Sequence, residues 1–255
     1  MDWAVASEWA TSFLLHLVRA GAFFAVVPLF GRNADSMAVR LVLTVALGGI
    51  FWWVGDQRVT AAGSLLALGV MSAREVLVGL ALGFALSTTT SLLTSTGELI
   101  ASEMGFSMAR ALDPESGVDS SVIAQLLQVV GFVTILQFDL HHEALRLLQE
   151  THRACPIGQP FEIEPIWEGI RTLVAGSIVL AVQYGMPVLG LMLLLSTGTV
   201  LIGRAVPAIN LQEFAFAARV LLALGVMPML LGTGAPFLLQ TFRSIFDGAA
   251  AMFGG

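Results

Sequence analysis

Lysine is missing from this chain: all twelve of its basic residues are arginine. Charge of either sign is sparse, at 12% of 255 residues, where a soluble domain carries roughly 25%. With 56% hydrophobic residues and a mean hydropathy of +0.86, the composition excludes an ordinary water-soluble domain. It requires a bilayer or extensive cover by other proteins. A net charge of −6 argues against nucleic acid or an anionic lipid surface as partner. The single Cys155 excludes an internal disulfide, and no C-x-x-C or zinc-type spacing occurs. Nothing in the sequence asks for a cofactor. The N-terminus also lacks the basic start of a cleavable signal, since Asp2 and Glu8 stand there and Arg19 interrupts the first apolar run. That segment is expected to be kept.

What is present is a series of about six apolar segments, which predicts an all-α, integral-membrane-type fold of helical hairpins in a single domain over 1–255. The first, Trp9 to Phe30, contains His16 and Arg19; charges inside such a segment face protein or water rather than lipid. The second, Leu41 to Val54, has about fourteen residues, short of the roughly 20 needed to span. A third runs from Gly63 to Ser95, with Arg74 and Glu75 inside it. Gly79-x-x-x-Gly83 gives it a flat face for close helix approach. The fourth is Val122 to Phe138, capped by Asp119, Ser120 or Ser121. An amphipathic helix follows, burying Leu140, Ala144, Leu147, Leu148 and Thr151, with an Arg146–Glu150 pair on its outer side. Pro156, Pro160 and Pro165 then hold an extended acidic link. The fifth, Thr172 to Gly203, is expected to break into two half-helices at Pro187. The sixth, Val220 to Phe242, contains Pro228 and Pro236.

Arginine placement does not orient these segments. With the N-terminus outside, Arg32, Arg40, Arg110, Arg204 and Arg219 lie inside, and Arg58, Arg74, Arg146, Arg153, Arg171 and Arg243 outside. Such balance is unusual for a plain bundle of spans. It points to hairpins packed mainly on protein.

The stretch from Gly97 to Val122 stands apart. It carries Glu98, Glu103, Asp113, Glu115 and Asp119 with Arg110, and threads Met104, Gly105, Met108 and Gly117 among them. A link this long and this apolar is expected to pack against something. Glu98 to Ala111 can be helical, Gly105 marks a bend, and Asp113-Pro114-Glu115 reads as a helix start or a tight turn.

Four other readings fit parts of the sequence less well. Gly105-Phe106-Ser107-Met108-Ala109 faintly resembles a nucleophile elbow, yet nothing places His16, His141, His142 or His152 beside Ser107; no enzyme is expected. Asp139, His141, His142, Glu143, His152 and Cys155 could be read as metal ligands. The two adjacent histidines point about 100° apart on a helix and there is no H-E-x-x-H, so a solvated face is favoured. Arg74-Glu75 could couple ions, against an assembly contact or a helix end. A secondary transporter draws support from Pro187, but the two halves show no matching broken segments.

Gly97-Glu98-Leu99-Ile100, Met104-Gly105-Phe106-Ser107-Met108-Ala109 and Asp113-Pro114-Glu115-Ser116-Gly117, with Asp139, His141-His142, Gly203-Arg204, Pro207 and Asn210, together resemble the FliR family of flagellar biosynthetic proteins. The likeness covers nearly the whole chain. That family shares ancestry with the T-type export-gate subunit of injectisomes, which is the alternative assignment. The chain departs at Ala208, Leu211 and Gln212, where the family often has Gln, Val and Phe, at Arg219 for a lysine, and near Ser196 for an acid. The resemblance implies a subunit of the type III protein export gate in the bacterial inner membrane at the flagellar basal body. It implies a helical hetero-oligomer with FliP-type and FliQ-type subunits, FlhB-type and FlhA-type components nearby, and unfolded export substrates threading the pore. It assigns the pore plug to Met104, Gly105, Phe106, Ser107, Met108, Asp113, Pro114 and Gly117. Candidate subunit contacts are Arg74, Glu75, Gly79, Gly83, Glu98, Arg204, Pro207 and Asn210.

Overall fold

The computed structural model describes residues 3–27, 35–55, 59, 63–105, 121–205 and 211–253. Among them there are seven helices and no strand: α1 Trp3–Val26, α2 Asp35–Gly55, α3 Leu65–Met104, α4 Val122–Gln137, α5 Leu140–Ala154, α6 Glu164–Ala205 and α7 Leu211–Ala251. The all-α expectation holds. Four helices, α1, α2, α3 and α6, are long and apolar enough to cross a bilayer. The number rises to six if α4 with α5, and the two parts of α7, each count as one bent span.

The chain divides into two compact units. One comprises Met1–Thr88, Asp139–Val174 and Arg243–Gly255; the other comprises Thr89–Phe138 and Ala175–Phe242. In the first unit α1 and α2 form an antiparallel hairpin. Gly48 lies against Leu17, Gly21 against Thr44, and Trp52 packs edge-on against Trp9 and Phe13. A Cβ at Gly79 would collide with the Arg19 carbonyl, and one at Gly83 would come within 2.9 Å of the Phe23 carbonyl. The GxxxG face therefore does what the spacing predicts, seating α3 directly on the backbone of α1. Helix α5 presents Leu140, Ala144, Leu147, Leu148 and Thr151 inward as expected, and His152 joins them.

In the second unit Ser121 caps α4, its hydroxyl accepting from the Ala124 amide at 3.1 Å. Gly131 leaves room for Leu93. Thr96 donates its hydroxyl to the Ala181 carbonyl at 2.9 Å, tying α3 to α6. Tyr184 stacks on Phe237.

The helices depart from their expected limits in several places, among them α1, which starts at Trp3, and α7, which runs from Leu211 to Ala251. Helix α2 starts at Asp35, ahead of its apolar run, and its 21 residues reach the spanning length the run itself lacked. Helical geometry needs backbone hydrogen bonds rather than apolar side chains, so Ser36 to Arg40 extend it, and Arg40 donates to the Ala25 carbonyl at 3.4 Å. Helix α3 runs on through Gly97 and Glu98 to Met104. Helix α6 is continuous for 42 residues with Pro187 inside it, not two half-helices. Pro187 lies on the exposed face, while Ala181, Tyr184, Val188 and Met192 on the other face are buried. Packing on that face offsets the roughly 3 kcal/mol an internal proline costs. The acidic link is also shorter than expected, because Glu164 and Glu168 already belong to α6 and Pro165 falls in its first turn, where its missing N–H is not needed. Finally, Arg146 pairs with Glu143 at 3.2 Å rather than with Glu150. In α7 the axis turns by 66° between Ala215–Leu230 and Gly234–Ala251, close to Pro228 and Pro236.

Candidate functional site

The base of the central segment is closed by two contacts one residue apart. At Gly97 the backbone of α3 touches that of α4: any Cβ there would overlap Ala124. Next to it, the Glu98 carboxylate accepts a hydrogen bond from the Ser121 amide at 2.6 Å. Ser121 is itself the N-cap of α4. An acid at that point also faces the positive end of the α4 dipole. One carboxylate and one glycine thus bring together chain positions 98 and 121. The residues between them leave α3 at Gly105, whose φ of 89° suits glycine. A side chain there would come within 3.5 Å of the Phe216 ring. Met104, in the last turn of α3, is fully buried inside the chain.

A second polar centre lies inside the other unit. Arg19 is 1% exposed in the middle of an apolar helix, and each of its three nitrogens has a partner. Nε donates to Glu75 Oε2 at 2.7 Å, and Nη2 lies 2.6 Å from the same oxygen. Nη1 donates to the Thr151 carbonyl at 2.9 Å, and Nη2 to the Cys155 carbonyl at 2.7 Å. The other Glu75 oxygen accepts from the Gly158 amide at 2.9 Å. Gly158 has φ 74° and no room for a side chain beside Val59. His16, one turn before Arg19, bonds the Ser12 carbonyl through Nδ1 at 2.7 Å and stacks on His152 with ring centroids 5.3 Å apart. A buried ion pair of this kind is kept by full hydrogen bonding rather than by Coulomb attraction alone. Its chemistry is structural: it joins α1, α3, α5 and the turn after α5.

The expected site residues separate into three groups. Glu75, Gly79 and Gly83, candidates for contacts to other subunits, are buried against α1 of the same chain. Adjacent residues on a helix point about 100° apart, so Glu75 turns to Arg19 and not to Arg74. Glu98 serves the loop base, and Arg204 is exposed in the last turn of α6. Phe106, Ser107, Met108, Asp113, Pro114, Gly117, Pro207 and Asn210 lie outside the described residues. The sequence marked Arg19 as a charge that faces protein or water rather than lipid, but only the fold supplied Glu75, 56 residues away.

Asp139, His141 and His142 come together at the start of α5, with their ligand-type atoms within 4.8 Å of one another. The two imidazole centroids are 4.1 Å apart, closer than the angular argument from adjacent helix positions allowed. Side-chain torsions bring together rings whose Cα–Cβ bonds diverge.

A family model, bacterial export proteins, family 1, matches residues 10–248. The chain is 26% identical over 247 residues to the flagellar biosynthetic protein FliR of Caulobacter vibrioides, with 94% of this chain and 98% of that one covered. To FliR of Escherichia coli it is 24% identical, with 94% and 92% covered. To the surface presentation of antigens protein SpaR of Shigella flexneri it is 24% identical, with 87% and 88% covered. The close approaches at Gly79 and Gly97 lie inside the matched region, and a match that spans nearly every helix leaves one conclusion: the chain belongs to the bacterial export proteins, family 1.

Proposed function

We propose that this protein is a subunit of the type III protein export gate of the flagellum, in the bacterial inner membrane at the basal body. It forms the secretion pore with FliP-type and FliQ-type subunits, alongside FlhA-type and FlhB-type components. Residues 97–122 obstruct the lumen until unfolded substrate passes, and Met104, Gly105, Phe106, Ser107 and Met108 form the seal, with Met104 as its buried root. Methionine adapts its packing, and glycine leaves the backbone free to bend.

The observation that carries this reading is the family match over residues 10–248. The clasp of Glu98 on Ser121 supports a central segment held at both ends. Exposed apolar helices support assembly: only 6% of the α2 window is buried, and Leu193, Leu194, Val200 and Leu201 of α6 are each more than half exposed. Such faces require lipid or partner chains.

Copurification from membranes tests the assembly. The chain should elute in a large complex with small membrane partners; a stable solitary chain that binds a small solute would favour a transporter instead. Deleting residues 104–108 tests the seal, with ion leak or secretion expected to rise while the complex still assembles. A deleted yet tightly closed pore refutes the seal.

A further inference from the structure

We propose that Asp139, His141 and His142 form a binding site for one divalent transition-metal ion of the zinc type. The residues offer one carboxylate and two imidazoles, a donor set suited to Zn2+ and its first-row neighbours and poorly suited to Mg2+ or Ca2+.

The three side chains converge on it. Asp139 is the only non-glycine residue with positive φ among the described residues, at 56°. This conformation costs a non-glycine residue free energy unless its surroundings hold it. Asp139 also occupies the N-cap position of α5 without capping it: its side chain accepts no hydrogen bond from the helix amides, the usual work of an aspartate there. The carboxylate instead turns to His142, with Oδ1 3.3 Å from Nδ1. Zinc–nitrogen and zinc–oxygen bonds of about 2.0–2.2 Å place two ligands of a tetrahedral ion about 3.3 Å apart. The third donor is close as well: the ligand-type atoms of the three residues lie within 4.8 Å of one another, and His141 Nδ1 is shielded from solvent with no hydrogen-bond partner among the described residues. Asp139 and His142 are exposed, so the ion has an entry path and keeps open positions for water or for a donor from another chain.

The alternative is a surface ion pair between His142 and Asp139, worth little at 63% and 76% exposure. It leaves the second ring without a role; the positive φ at Asp139 is accounted for separately, because Asp139 directly follows Phe138, the C-cap of α4, where a left-handed residue commonly ends a helix. The proposal does not depend on the export reading.

The chain has four histidines, and His16 and His152 are buried, so His141 and His142 are the accessible imidazoles. The full chain, purified in detergent on a histidine-free tag, is titrated with Co2+ and then with Zn2+. One Co2+ per chain should bind with visible d–d absorption, and Zn2+ should displace it. His141→Ala with His142→Ala, and separately Asp139→Asn, should weaken binding at least tenfold, as loss of even an outer-shell partner does. His142→Cys should keep the ion and add a thiolate charge-transfer band, which rules out misfolding as the cause of loss. The proposal is overturned if the wild-type chain shows no saturable binding, or if the alanine double variant binds as the wild type does.

Discussion

Arg19 illustrates how a single residue commits the fold. In an apolar helix its charge can be tolerated only where its donors are engaged, and Glu75, Thr151 and Cys155 supply that. Glu75→Gln leaves the guanidinium buried without its counter-charge, and breaking such a pair costs about 3–5 kcal/mol. The expected result is a marked fall in the thermal unfolding midpoint of the detergent-purified protein. Arg19→Met combined with Glu75→Leu should recover part of the loss; a Glu75→Gln protein that melts with the wild type would show the pair to be idle. Cys155 beside it is 7% exposed, and burial pushes its thiol pKa up, against the lowering effect of the Arg19 charge. The thiolate is the reactive form, so raising the pKa removes reactivity near neutral pH and restores it only as pH climbs. Maleimide labelling at pH 7 should be slow in the folded chain and rapid after denaturation, read by mass spectrometry. Equal rates in the two states would contradict the burial of this turn.

At the level of helices, contacts between backbones set the architecture. Gly79 and Gly97 each seat one helix on the main chain of another, where a methyl group has no space. Overpacking costs about 1–3 kcal/mol, so Gly79→Ala and Gly97→Ala should each lower stability by an amount in that range. Gly176→Ala, where a Cβ meets nothing, is the control and should not. The clasp at the central segment is a hydrogen bond to a charged group, worth about 1.5–3 kcal/mol. Glu98→Ala should loosen the ends of that segment first. Hydrogen exchange at the Ser121 amide should accelerate while amides within α6 stay protected. Unchanged exchange at Ser121 would mean that the carboxylate does not hold it.

For the molecule as a whole, the unresolved demand is cover for apolar surface. Trp53 is 78% exposed and Leu65 87%, and helices α2 and α6 bury little of their spanning windows. Apolar faces this exposed require lipid or other protein chains around them. Without detergent the isolated chain should aggregate, and light scattering during detergent removal gives the readout. A monodisperse chain in plain buffer would contradict the exposed faces.

The residue pattern by itself determined the all-α class, the apolar segments, the inward face of α5 and the close-packing face of Gly79 and Gly83, and narrowed the cap of α4 to three residues of which the structure uses Ser121. These are local properties, governed by side-chain period, capping chemistry and the missing Cβ of glycine. The extension of α2, the continuity of α6 through Pro187 and the pairing of Glu75 with Arg19 were decided by tertiary structure. Each depends on what lies across the fold: a packed face that outweighs a proline's local cost, or a carboxylate 56 positions away that a buried guanidinium cannot do without. The rotamers that bring Asp139, His141 and His142 together are a local matter, yet helical spacing does not settle them, because it fixes where side chains start and not where they end.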